Sequence, residues 1–154
     1  MALAMAAHYP DRPVLLAAMA DLAAEELGHY REVVRLLVER GLQPGPDVRD
    51  PYVNALNAEV RRGTMEYLLD RLLVGAVVER RGAERFGLVG DSHPDPGLRK
   101  FYRAIAASEG RHWQTFVELA THECPEQDVT GRLDALLARE AEIVAALPLR
   151  AALH

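Results

Sequence analysis

The chain has 154 residues, 49% of them apolar and 27% charged, with a formal net charge of −5. That length fits a single domain, 1–154, with a sizeable core, and the acidic balance argues against non-specific nucleic-acid binding while leaving room for a local basic patch. The one cysteine, Cys124, excludes an intrachain disulfide and fits a reducing cytoplasm; no apolar run is long enough to span a bilayer, and the start MALAMAAHYP lacks the basic segment of a signal peptide.

Alanine and leucine dominate and β-branched runs are few, so the predicted class is all-α. Residues 2–8 read as the last two turns of a helix whose beginning is missing, ended by His8-Tyr9-Pro10. Asp11 is a candidate N-cap, with Pro13 in the first turn, for a long helix to about Arg40, stopped by Gly41. A loop, GLQPGPDVRD, follows. Asp50-Pro51 opens a short helix over about 51–62, broken at Gly63. Thr64 is placed to cap a long helix over about 65–89 that ends at Gly90. After DSHPDP, Asp95-Pro96 starts another long helix to about Thr121, which Cys124-Pro125 breaks. Asp128 or Thr130 opens a last helix to about Ala146, and Pro148 ends it.

Two motifs carry the chemistry. Glu26-Leu-Gly-His29 and Glu109-Gly-Arg-His112 are both Glu-x-x-His, their glutamates 83 residues apart. Residues three apart share a helix face, so each motif points a carboxylate and an imidazole the same way. The first long helix has the core-facing line Leu15, Ala18, Leu22, Glu26, His29, Val33, Leu36. The helix after Pro96 has Leu98, Phe101, Ile105, Glu109, His112, Phe116, Leu119. In both, the Glu-His pair interrupts an apolar stripe. A buried carboxylate is costly unless it is paired or bound to a metal. Four-helix bundles that hold di-iron or di-manganese centres use this motif on two helices and a lone glutamate on each of the others. Carboxylate and imidazole donors suit iron or manganese and leave zinc possible.

The helix between the motifs offers Glu79 and Glu84. The stripe Leu72, Ala76, Glu79, Ala83, Phe86 aligns Glu79 with the core, and Gly75, Ala76, Gly82 and Ala83 leave room beside it. Glu84 follows Arg80 and Arg81 closely and reads as a helix-surface ion pair. A fourth glutamate is absent: no acidic residue precedes Asp11, and Asp21 and Glu25 fall on a different face from Glu26. The sequence thus shows five of six protein ligands.

These segments resemble a known family. AAEELGHYREVVRLLVERG (23–41), RLLVGAVVERRGAERF (71–86), FYRAIAASEGRHW (101–113) and the ending RLDALLAREAEIVAALPLRAALH look like the bacterial tRNA 2-methylthio-N6-isopentenyladenosine hydroxylases, ferritin-like non-haem di-iron proteins. The resemblance implies a ferritin-like four-helix bundle with an extra short helix and a C-terminal helix, with metal ligands Glu26, His29, Glu79, Glu109 and His112. It implies no catalytic side chain beyond those ligands. Two iron ions would reduce dioxygen and hydroxylate the isopentenyl side chain of a modified adenosine in tRNA, with electrons from an external reductase or other donor, since no nucleotide-binding glycine loop occurs here.

The family's remaining glutamate would fall about one to two turns before Met1. The expectation is therefore an N-terminally truncated member with its first bundle helix incomplete. A start codon assigned too late is the first explanation, a shortened version or an altered site the others. The competing functions are a ferritin-like iron-binding or oxidant-scavenging protein and an inactive bundle. The expected setting is cytoplasmic, as monomer or homodimer, without a membrane partner.

Other residues carry smaller expectations. Arg80, Arg81, Arg85, Arg99, Lys100, Arg103 and Arg111 form a candidate basic surface for tRNA phosphates. Trp113 and Tyr30 turn away from the histidines beside them and read as packing residues. Asp70 falls on the face opposite Glu79 and reads as solvated. Cys124 reads as inert.

Overall fold

A computed structural model describes residues 1–46 and 48–148. The expected tail, 149–154, lies outside the described residues. Among the described residues there are six helices and no strand: α1 (Ala2–His8), α2 (Pro13–Glu39), α3 (Pro51–Ala58), α4 (Thr64–Ser92), α5 (Pro96–Glu123) and α6 (Val129–Ala146). They fall into two compact units, Met1–Arg49 and Asp50–His154.

In the first unit α1 packs on α2, and Ala2, Met5, Leu15, Met19 and Leu22 are buried. Val33, expected on the core stripe of α2, is exposed. The N-cap of α2 is Arg12, without a side-chain cap, and not Asp11. Gly41 ends α2 as expected. Its φ of 68° lets the Gly41 N–H donate to the Val38 carbonyl and the Leu42 N–H to the Leu37 carbonyl, closing a Schellman cap.

In the second unit α4 and α5 pack along each other over most of their length, and α3 and α6 cover α4 from another side. Consequently α4 is buried all round from Leu68 to Val77, apart from half-buried Arg71. Three helices start on aspartate caps: Asp50 accepts from the Tyr52 N–H, Asp95 from those of Gly97 and Leu98, and Asp128 from that of Gly131. Gly63, not Thr64, occupies the N-cap of α4.

Two boundaries differ for physical reasons. The expected helix over 51–62 stops at Ala58, and the Arg61 N–H donates to the Asp70 carboxylate at 2.9 Å instead of to a helix carbonyl. Gly90, expected to end α4, lies inside it and is buried. A Cβ there would stand 2.8 Å from Arg103 Cγ and 3.1 Å from its backbone nitrogen, so the missing side chain lets α5 approach.

Asp70 is the clearest correction. It is fully buried, because the face opposite Glu79 meets the α3–α4 connection and α6 rather than solvent. Arg61 and Arg132 each hold its carboxylate through two side-chain N–H groups, at 2.7–3.0 Å. Arg132 also donates to the Glu59 carbonyl at 2.8 Å. Burial by itself pushes the Asp70 carboxyl up. Hydrogen bonds from Arg132 and Arg61 outweigh that and hold it at about 2.

Candidate metal centre

The centre of the α4–α5 pair carries three sequence-predicted ligands. Glu79 comes from α4, and Glu109 and His112 from one turn of α5. Leu72 and Ala76 on α4, and Ile105 and Phe116 on α5, are buried along the same stripes, as the periodicity requires. Burial therefore carries the polar residues inward with their apolar neighbours. Glu79, Glu109 and His112 side chains retain 12%, 9% and 6% exposure.

Their donor atoms converge. His112 Nδ1 lies 3.7 Å from Glu79 Oε2 and 3.9 Å from Glu109 Oε2. One donor atom from each of the three residues falls within 4.8 Å of the others. Two carboxylates and an imidazole at that spacing are a donor set suited to iron or manganese. Gly82 stands beside them: a Cβ there would make ordinary contact, 3.6 Å from Glu109 Cγ, so the small residue goes with close approach of α4 and α5 next to Glu79.

The first unit carries the other motif. On α2, Glu26 Oε1 and His29 Nδ1 lie 3.5 Å apart, so the three-residue spacing brings carboxylate and imidazole together as expected. Glu84 is exposed and ion-paired with Arg81 at 3.1 Å, the surface role its position suggested.

Several side chains around the centre were not foreseen. Buried Glu140 of α6 receives Arg81 Nε at 2.6 Å, Arg81 Nη2 at 2.7 Å and the Tyr52 hydroxyl at 3.2 Å. Burial first, and then the Glu140 charge, push the Tyr52 hydroxyl well above its ordinary range. Beside this cluster a cavity of about 200 Å³ is lined by Val77, Arg80, Arg81, Glu84, Leu137 and Glu140. Ser108, one helical turn before His112, is buried with its hydroxyl 3.4 Å from His112 Nε2. A small polar residue on the buried stripe four positions before a candidate ligand histidine was its only sequence signal.

The candidate basic surface is smaller than its sequence count. Arg81 is taken by Glu140, Arg103 pairs with Asp91 at 3.0 Å, and Arg111 donates to the Ala107 carbonyl and to Ser108. Arg80 lies over the Trp113 ring, 5.3 Å from its centroid. Trp113 is half-buried, whereas Tyr30, expected to pack, is 62% exposed. Cys124 is buried at the C-cap of α5. No helix among the described residues is long and apolar enough to cross a membrane.

Comparison with known proteins places the chain in a family. The family model described as tRNA-(MS2IO6A)-hydroxylase (MiaE) matches residues 1–154. The chain is 35% identical over 143 residues to the tRNA 2-(methylsulfanyl)-N(6)-isopentenyladenosine(37) hydroxylase of Pseudomonas putida, covering 93% of this chain and 69% of that protein. It is 28% identical over 130 residues to the enzyme of the same name from Salmonella typhimurium, covering 84% of this chain and 47% of that one. Among solved structures it is similar to a Synechococcus protein with aldehyde deformylating oxygenase activity. That match has a TM-score of 0.90 and 32% identity, over 97% of this chain and 74% of the other. The fold is all-α and ferritin-like, and the chain belongs to the tRNA-(MS2IO6A)-hydroxylase family.

Proposed function

We propose that this protein is a non-haem di-iron monooxygenase that hydroxylates the isopentenyl side chain of 2-methylthio-N6-isopentenyladenosine in tRNA. The observation that carries the reading is the convergence of Glu79, Glu109 and His112 on α4 and α5, in a chain that the family model matches from end to end. By their motif, Glu26 and His29 of α2 are further ligands under this proposal, and residues 1–154 a single ferritin-like domain. The setting is the cytoplasm, as monomer or homodimer.

When bound, two iron ions would supply dioxygen reduction. The overall balance is one C–H bond, one O2, two electrons and two protons giving one C–OH and one water. The electrons come from an external donor. The chain's own residues do the rest. Glu79, Glu109 and His112 provide hard and borderline donors at fixed spacing. Buried Leu72, Ala76, Ile105 and Phe116 line the same stripes and keep water from the donors. The Arg81–Glu140–Tyr52 cluster ties α6 to α4 two residues beyond Glu79, which steadies the helix that presents it.

Anaerobic ferrous loading tests the centre, and mass spectrometry of the modified nucleoside tests the reaction. About two irons per chain are expected from the di-carboxylate bundle precedent, followed by gain of one oxygen atom on the isopentenyl group. Glu109→Ala should lose the iron. Unchanged iron content in that variant would sink the site assignment. Bound iron without hydroxylation, with a competent electron donor present, would point instead to iron binding or oxidant scavenging.

A further inference from the structure

We infer that Ser108, braced by Arg111, is the positioning residue for the ligand His112. This rests on the reading of Glu79, Glu109 and His112 as a metal centre. The two ring nitrogens of His112 face different partners. Nδ1 faces the carboxylates, 3.7 Å from Glu79 and 3.9 Å from Glu109, so it is the nitrogen that offers its lone pair to a metal. A neutral imidazole then carries its one proton on Nε2. Nε2 lies 3.4 Å from Ser108 Oγ, and both residues are buried, so that N–H donates to the serine hydroxyl.

Ser108 is itself held. Arg111 Nη2 donates to the same oxygen at 3.2 Å, and Arg111 Nη1 donates to the Ala107 carbonyl at 3.2 Å. A hydroxyl oxygen can accept two hydrogen bonds, so it serves the guanidinium and the imidazole together. Ser108, Arg111 and His112 all lie within five residues of α5, so one helical turn sets the ring's tautomer and its rotation. Metal-binding histidines in general owe orientation and basicity to the acceptor on their other nitrogen. Here the acceptor is a neutral hydroxyl drawing on a cation, so it orients the ring without adding another negative charge to the ligand carboxylates. An aspartate at position 108 would accept the same proton but crowd another carboxylate into the cluster.

The experiment titrates cobalt(II), under anaerobic conditions, into the full chain and into Ser108→Ala and Ser108→Thr. Metal affinity is read from the visible spectrum. The exchangeable imidazole N–H is read as a paramagnetically shifted proton resonance. Wild type should bind cobalt and show the protected N–H. Ser108→Ala should bind about 10–100-fold more weakly, with the N–H lost to solvent exchange, and Ser108→Thr should recover most of both. Arg111→Met, which leaves both partners of the Ser108–His112 hydrogen bond in place, should weaken binding less than Ser108→Ala, and it keeps the test open should the alanine variant not fold. Wild-type affinity and a protected N–H in both Ser108→Ala and Arg111→Met would overturn the inference while leaving the metal centre standing. Absence of cobalt binding by wild type would remove the centre itself.

Discussion

Two sites nine residues apart on α4 bury carboxylate charge, and they surround it with opposite chemistry. Asp70 is closed by two arginines: five hydrogen bonds, from the Arg61 backbone and both guanidinium groups, reach its two oxygens. Glu79 instead converges with a second carboxylate and an imidazole. The first arrangement is electrically complete as it stands. The second gathers negative charge and lone pairs in a place of low dielectric, which is favourable when a cation joins them. Burial alone therefore does not mark a functional carboxylate. What separates the two sites is the charge of the neighbours. Glu140 belongs with Asp70 by this test, since Arg81 and Tyr52 donate to it.

The largest expected effect follows from breaking the complete site. Asp70→Asn leaves two guanidiniums facing a neutral amide, and loss of one partner of a buried ion cluster costs about 3–5 kcal/mol. Chemical denaturation of the metal-free chain measures it. A cost below about 1 kcal/mol would mean that the arginines find other partners and that the site is not the clasp described here. Iron bound per folded chain should not change, because Asp70 is on the other face of α4.

Gly90→Ala probes the seam that the proposed ligands share. The new methyl would meet Arg103 at 2.8–3.1 Å, including backbone, so α4 and α5 must separate at that end. Overpacking of this kind costs about 1–3 kcal/mol. Unlike Asp70→Asn, this change should also weaken metal binding, because Glu79 and Glu109 sit on the two helices being pushed apart. A stability loss with unaltered metal affinity would show that the strain is absorbed before it reaches them.

Acid titration separates the two sites without mutation. The Asp70 carboxyl is held at about 2 in the folded chain, against an ordinary value near 4 when unfolded. A depressed acid stabilises the fold above its unfolded value and loses that contribution as pH falls through its folded value. The stability it supplies, about 2 kcal/mol, is therefore intact above about pH 4 and disappears between there and about pH 2. Asp70→Asn should remove this step from the pH profile. A step of unchanged size in the variant would assign it to other carboxylates.

The sequence made the proposed ligand site more legible than the Asp70 clasp, for a physical reason. Glu26 with His29, and Glu109 with His112, are local patterns, readable because three residues bring side chains to one helix face. Glu79 was readable because it interrupts a single stripe, and the structure sets it against Glu109 and His112 as that stripe implied. Asp70 depends on Arg132, 62 residues away, and on a backbone N–H freed where α3 stops short. No periodicity announces such a contact. One signal was available: Asp70 stands in a run from Leu68 to Val78 in which only Asp70 and Arg71 are polar, which marks a helix with little solvent face. Gly90 misled for a related reason. A glycine near a helix end usually terminates it, but here close approach of α5 claims the missing side chain. Ser108 went unread because a serine on a buried stripe has no distinctive spacing of its own.

The smallest expected stability effect is the most discriminating one. Glu79→Gln is the same chemical change as Asp70→Asn, made on the same helix at a side chain that keeps 12% exposure where Asp70 has none. It removes one of two converging carboxylates rather than the partner of two arginines. In the metal-free chain it should cost less than about 1 kcal/mol and can stabilise, since it relieves like-charge proximity at Glu109. Cobalt affinity should nevertheless collapse, because an amide oxygen is a poorer and uncharged donor. The two variants then give opposite signatures: large stability loss with metal binding intact for Asp70→Asn, and small stability change with metal binding lost for Glu79→Gln. A Glu79→Gln chain as destabilised as Asp70→Asn would show that Glu79 is a structural anion like Asp70, and would move the metal centre away from α4.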